Sequence, residues 1–192
     1  EFKSRHPHCI QRCSIPMPHG WSGAEPIAMD QPVPVDAPTA SAEIAIVLVC
    51  NGPGELATWV RPLARRLHRE LPLRPLQPQA STALELVLVP CPNGTGSEHR
   101  VAEHMGLFER ILPASRFWWL LLRPRRHGPW PRRGVVVFLG GDQFWTVLLS
   151  ARLGYRHITY AEWVARWPRW NDRIAAMGPA AAERLQIGRA HV

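Results

Sequence analysis

The sequence predicts an α/β protein built on a doubly wound parallel sheet, and three observations carry the prediction. Ile44 to Cys50 is an unbroken apolar run with no polar alternation, the pattern of a strand covered on both faces. It passes directly into Asn51-Gly52-Pro53-Gly54-Glu55 and then a helical stretch. The same grammar returns at Val135 to Leu139, which runs into Gly140-Gly141-Asp142-Gln143 and another helix. Strand–helix alternation then continues along the chain, as a parallel sheet requires. Ligands of such sheets bind at the carboxyl ends of the strands, so the two glycine–acid turns are expected to face one cleft.

The elements follow in order. After the first strand, Leu56 to Glu70 is predicted helical, with Val60, Leu63, Leu67 and Leu71 on one face and Arg61, Arg65, Arg66 and Arg69 mostly off it. Thr58 as N-cap would place Pro62 in the first turn, where its missing N–H costs little. Pro72 to Gln79 is a connector. Leu84–Val89 is the second strand, followed by a turn-rich loop from Pro90 to Ser97 and a helix from Glu98 to Phe108. Ile111–Leu112 reads as a short third strand. Phe117 to Leu122 is apolar enough for a helical turn packed on the sheet or resting on a membrane. Val135–Leu139, a helix over Phe144–Leu153 closed by Gly154, and a strand over Arg156–Tyr160 form another βαβ unit. Ile174–Met177 is the next strand, and Pro179–Leu185 opens a helix with proline at its first position.

Composition sets the bounds. The 192 residues suffice for one α/β domain, and 46% apolar content can build its core. No apolar run approaches the roughly eighteen residues of a spanning helix. Residues 1–43 hold seven prolines and no amphipathic period, so they are predicted to be a disordered head. This head lacks a signal-peptide core, and Met29 is expected to be the authentic start. Ile187 to Val192 reads like a translated sequencing-adapter end, so the native domain is expected to run over 44–186, truncated there. Cys9, Cys13, Cys50 and Cys91 read as reduced cytosolic thiols rather than a disulfide framework. His6, His8, Cys9 and Cys13 lack the second ligand pair of a zinc site, and no metal is expected.

The formal charge of +8 is concentrated. Residues 100–133 hold eight arginines against Glu103 and Glu109, a local field that favours an anionic surface or substrate. Asp142, at a strand end after two glycines, suits a general base on a hydroxyl and equally a helix N-cap. Gly52 and Gly54 let backbone N–H groups approach a ligand, although neither a dinucleotide fingerprint nor a Walker loop is present. Tyr160-Ala161-Glu162-Trp163 through Arg166-Trp167-Pro168-Arg169-Trp170 brings three tryptophans and two arginines to one strand end. Aromatic faces stack on rings and guanidinium groups fork onto phosphates. Stacking of those arginines in an aromatic corner of the core is the competing reading.

Taken as ordered blocks, Asn51 to Glu55 with Thr58 to Pro62, Pro90-Cys91-Pro92, Gly134 to Phe144, and Tyr160 to Trp170 resemble proteins related to lipid-A-disaccharide synthase. The resemblance spans about Ile44 to Leu185. It implies the amino-terminal, acceptor-side half of a GT-B glycosyltransferase, made of two Rossmann-like domains. The implied reaction is an inverting transfer of a sugar from a UDP donor to a lipid-linked or phosphorylated acceptor, without metal or other cofactor. By the same resemblance Asp142 is the base, and Asn51, Gly52, Gly54, Glu55, Gly141, Gln143, Glu162, Arg166, Trp167 and Arg169 contact substrate. The first loop departs from the synthase's Gly-Glu-x-Ser-Gly-Asp pattern, which puts the lipid-A acceptor itself in question.

Trp118 and Trp119 beside Arg125 and Arg126 suit docking on an anionic bilayer, so a cytoplasmic protein peripheral to the inner membrane face is expected. A core-packed helix followed by a solvated basic loop is the alternative. Two other classes stand beside the enzyme. One is a non-catalytic homologue that binds a ligand or partner. The other is a nucleic-acid binder, for which no helix-turn-helix, zinc-finger or RNP signature is present.

Overall fold

Among the residues that the structure describes, six parallel strands, β1 (Ile44–Cys50), β2 (Thr82–Leu88), β3 (Arg110–Leu112), β4 (Arg133–Phe138), β5 (Arg156–Ala161) and β6 (Arg173–Ala176), form one sheet in the order β3-β2-β1-β4-β5-β6. The doubly wound parallel sheet is therefore what the chain adopts, with the strand order of a Rossmann-like domain. The computed structural model describes residues 42–72, 81–92, 94–162 and 165–189, all inside the unit bounded by Val35 and Val192. The expectations for the head before residue 42, for Met29, for the zinc-like His6, His8, Cys9 and Cys13, and for Trp163 lie outside the described residues.

β1 is buried along its whole length and lies at the centre, pairing on one side with β2 and on the other with β4. Its ladder starts one residue early, where the Glu43 N–H donates to the Ser81 carbonyl. β3 flanks β2, while β5 and β6 extend the sheet beyond β4. Helix α3 (Glu98–Met105) ends sooner than predicted, at Gly106. Helix α6 (Pro179–Arg189) runs past Gln186 into the expected tail.

The first connection corrects the prediction. Helical structure begins at α1 (Pro53–Glu55), passes through a π-turn at Leu56–Val60, and continues as α2 (Arg61–Glu70). Thr58 is not the N-cap; its hydroxyl donates back to the Gly54 carbonyl at 2.7 Å. Pro62 is thus well inside the helical segment. A proline ring there collides with the carbonyl four residues earlier. In the widened turn the Arg61 N–H reaches back to the Leu56 carbonyl, which relieves that collision without ending the helix.

Helices cover both faces. On one, Leu56, Val60 and Ala64 and the α3 residue Ala102 pack on Ile46, Leu48, Leu84 and Leu86. On the other, α4 (Phe117–Leu122) and α5 (Gln143–Leu153) pack on Val47, Val49, Val87 and Val136. Arg152 of α5 donates to the carbonyls of Leu121 and Leu122 at 2.7 and 3.0 Å, so it caps the end of α4. α4 is apolar all round, with one side buried and the other in solvent. Phe117, Leu120 and Leu121 are buried, whereas Trp118, Trp119 and Leu122 are 50%, 59% and 65% exposed.

A charge lies in this core. Glu85, buried within β2, receives both its oxygens' hydrogen bonds from Arg110 Nη2 at 2.6 Å. The Trp130 ring stacks on the guanidinium, 3.8 Å from its centroid. Burial raises the Glu85 carboxyl above its ordinary range and Arg110 opposes the rise.

Candidate functional site

The order of the sheet reverses between β1 and β4, and the loops leaving such a switch point diverge to open a crevice. A cleft of about 620 Å³ lies there. From the β1 side it receives Glu55; from the β4 side, Phe138 through Gln143; from β5, Tyr160, Glu162 and Arg166. The three blocks singled out in the sequence therefore converge.

Glu55 has a slot made for it. A Cβ at Gly140 would fall 2.3 Å from Glu55 Cγ, and one at Gly52 would fall 2.7 Å from Oε2. Both turns thus give up a side chain so that one carboxylate can lie between them. Gly141 has φ +96° and backs onto Asn51; a side chain there would be strained and crowded. Asn51 stands behind the wall rather than in it, and its buried Oδ1 has no hydrogen-bond partner among the described residues.

Asp142 is exposed at the cleft and also caps α5, its Oδ1 accepting from the Phe144 N–H at 3.0 Å. Such a cap contributes about 1 kcal/mol. The cap engages one carboxylate oxygen only. Gln143 lines the cleft yet is buried at 5% exposure. Its amide donates to Thr159 Oγ1 at 2.6 Å. Partial burial and the neighbouring Glu162 raise the Tyr160 phenol, whose ring lies 4.9 Å from that of Trp59.

Arg166 reaches the cleft and forms no ion pair among the described residues. Trp167 and Arg169 do not line it. Arg169 is exposed on the 3-10 turn Pro168–Trp170, and Trp167 stands at the rim, 48% exposed. Gly54 is exposed, and a side chain built on it would meet nothing within 4 Å. Trp167 has φ +57°, a left-handed backbone that costs a bulky residue on the order of 1–3 kcal/mol.

Sequence reading missed what holds this rim. Asn171 Nδ2 donates to the carbonyls of Trp167 and Arg166 at 2.9 and 3.3 Å, and Oδ1 accepts from Thr159 Oγ1 at 2.5 Å. Beneath them the buried His157 ring has Nδ1 3.3 Å from the Trp170 carbonyl and Nε2 3.4 Å from Thr159 Oγ1. Burial holds that imidazole below its ordinary range. The signal was present only as an Asn-Asp pair opening a strand and as alternate polar residues within β5.

An aromatic row joins the rim to α4. The Trp167 ring lies 6.0 Å from Phe144, Phe144 lies 5.1 Å from Trp145, and Trp145 lies 4.8 Å from Trp118. Arg123, Arg125 and Arg126 are exposed just beyond α4, and no acidic residue occurs between Glu109 and Asp142. No helix of the described residues is long and apolar enough to cross a membrane. Nor do the described residues bring together three or more His, Cys, Asp or Glu side chains able to hold a metal ion.

No protein-family model matches the chain, and no curated protein matches it. Among solved structures, a crystal structure of a protein of unknown function from Vibrio parahaemolyticus is similar at 11% identity and TM-score 0.36, covering 74% of this chain and 97% of that one.

Proposed function

We propose that this chain is the acceptor-side domain of a sugar transferase of the kind resembling lipid-A-disaccharide synthase. The convergence of Glu55, Asp142, Glu162 and Arg166 in one crevice at the switch point carries the reading. In the reaction, a UDP-sugar is the donor and a lipid-linked or phosphorylated sugar the acceptor. Asp142, through the oxygen not engaged in capping, takes the proton of the acceptor hydroxyl. The hydroxyl oxygen bonds to the anomeric carbon as the bond to UDP breaks, and UDP leaves with that electron pair. Arg166, with no ion pair of its own among the described residues, holds the acceptor phosphate.

The first test is binding. The chain should titrate saturably with glucose 1-phosphate, and Arg166→Ala should weaken that binding by about ten-fold, the value of one charge-assisted hydrogen bond. Absence of saturable binding, or an unchanged affinity in Arg166→Ala, rejects the reading. The Asp142 cap also favours a second reading, a ligand-binding homologue without turnover, because the cap accounts for that residue by itself. Acceptor-dependent release of UDP by the longer protein that carries a donor domain separates the two.

An acceptor with acyl chains must be met at a bilayer, and the exposed face of α4 with its flanking arginines suits an anionic one. Anionic vesicles should bind the protein, less so as salt rises. Replacing Trp118 and Trp119 by alanine should lower binding at every salt concentration. Replacing Arg125 and Arg126 should instead flatten the salt dependence. Equal binding to neutral and anionic vesicles excludes the docking role.

A further inference from the structure

The rim of the cleft holds a contradiction that the proposed function does not use. Trp167 is a large residue in a left-handed backbone conformation, half exposed, in a loop with no glycine. Its ring meets Phe144 at 6.0 Å but is not among the core residues of either face. Burial therefore does not explain the conformation. Hydrogen bonding does: Asn171 Nδ2 grips the carbonyls of Arg166 and Trp167 from within the turn.

Asn171 is itself held. Its Oδ1 accepts from Thr159 Oγ1 at 2.5 Å and from Gln143 Nε2 at 3.4 Å, while Gln143 Nε2 also donates to Thr159 Oγ1 at 2.6 Å. Only one orientation of the Asn171 amide satisfies both ends, nitrogen towards the two carbonyls and oxygen towards the hydroxyl. Gln143 and Thr159 are 5% and 0% exposed, and each belongs to a regular element, α5 and β5. A hydrogen-bonded network anchored on two buried side chains specifies one geometry for the partly buried Asn171 at its outer end.

We propose that Gln143, Thr159 and Asn171 are positioning residues, a strut that keeps Trp167 left-handed and thereby sets Arg166 in the cleft wall for the phosphate of a sugar phosphate, the Trp167 ring standing at the rim to stack on its ring. The ligand half of this rests on the sugar-transferase reading. The strut half rests on geometry alone. Backbone strain kept at an exposed rim by buried polar groups is the arrangement expected where conformation serves a ligand.

The two halves are tested by different measurements on the same chain. Amide hydrogen exchange across residues 165–171 reports the strut. Thr159→Val, nearly isosteric but without the hydroxyl, and Asn171→Ala should both speed exchange at Trp170 and Asn171, whereas Thr159→Ser should keep it slow. The same two variants should weaken glucose 1-phosphate binding by about ten-fold, with Thr159→Ser restoring affinity. Trp167→Gly should bind weakly as well, yet keep or raise the melting temperature, because glycine accepts the left-handed backbone without strain. In the Asn171→Ala background it should recover part of the lost stability, since nothing strained remains to be held.

Unchanged exchange in both Thr159→Val and Asn171→Ala overturns the strut. A melting temperature in Trp167→Gly that falls by several degrees overturns the claim that the tryptophan is held at a cost to the fold. Slow exchange lost in the variants while the intact chain shows no saturable glucose 1-phosphate binding overturns the ligand half and the sugar-transferase reading with it, and leaves the strut standing.

Discussion

On the sugar-transferase proposal, Asp142→Asn in a longer chain that carries a donor domain is expected to lower turnover by about 10²–10⁴-fold, the usual contribution of a general base. The substitution is selective because the structure gives Asp142 a second task. Its Oδ1 caps α5 through the Phe144 N–H, and asparagine caps as well as aspartate does. Melting temperature should therefore move by no more than about 2 °C, and acceptor affinity should hold. Turnover is measured as UDP release and stability by calorimetry on the same preparation. Unchanged turnover removes Asp142 from the chemistry and leaves a cap. A parallel fall in stability and turnover makes the residue structural.

Arg110→Ala is expected to be the most destabilising single change among the polar residues. It strands the Glu85 carboxylate within β2 and removes the cation from the face of Trp130. Breaking a buried pair from one side costs about 3–5 kcal/mol, a fall in melting temperature on the order of 10 °C for a domain of this size. The deficit should depend on pH. Burial already raises the Glu85 carboxyl, and Arg110 is what opposes it. Without Arg110 the folded value climbs further above the unfolded one of about 4.3. The folded state then binds more protons than the unfolded state across that interval, so stability is full below the unfolded value and is lost as pH rises through the folded one. Thermal scans should show a larger deficit at pH 8 than at pH 5. Replacing both partners, Glu85→Leu with Arg110→Met, should recover most of the loss. A melting temperature for Arg110→Ala within 2 °C or so of the parent at pH 8 would show that the pair is poorly desolvated.

Local chemistry made much of this fold legible. Ile44–Cys50 and Phe117–Leu122 have the bounds that their apolar runs imply. Gly106 and Gly154 end their helices in the left-handed conformation; the first was overlooked because an apolar pair follows it. Misreadings arose where an earlier element or a distant partner overrode a local signal. Thr58 has the composition of a cap, but the helix had already begun at Pro53. Arg133 and Gly134 look like loop, yet β1 pairs with them, and the absent side chain at Gly134 makes room for the Tyr155 ring. Glu85 drew no attention because its partner lies on another strand. In the site, the residues that follow strand ends were readable as a set. Gln143 was read as a substrate contact, and its burial against Thr159 and Asn171 emerges only when β5, α5 and the following loop are brought together.

The central place of β1 has a consequence during synthesis. Of the six described strands, the earliest made lies inside the sheet, and its two neighbours arrive at different times. β2 follows after one helix, but the ladder partner of Ile44 on the other side is Arg133, made only after β2, β3 and α4. At about 5–20 residues per second the gap is several seconds. Throughout it the nascent chain carries an open hydrogen-bonding edge on a strand that is apolar on both sides, with Val47 and Val49 awaiting the cover of Val136. Edges of that kind recruit other chains. Sticking in the cell should therefore be greatest for chains stalled between β3 and β4, and ribosomal pausing over residues 113–132 should lower soluble yield more than pausing after Phe138.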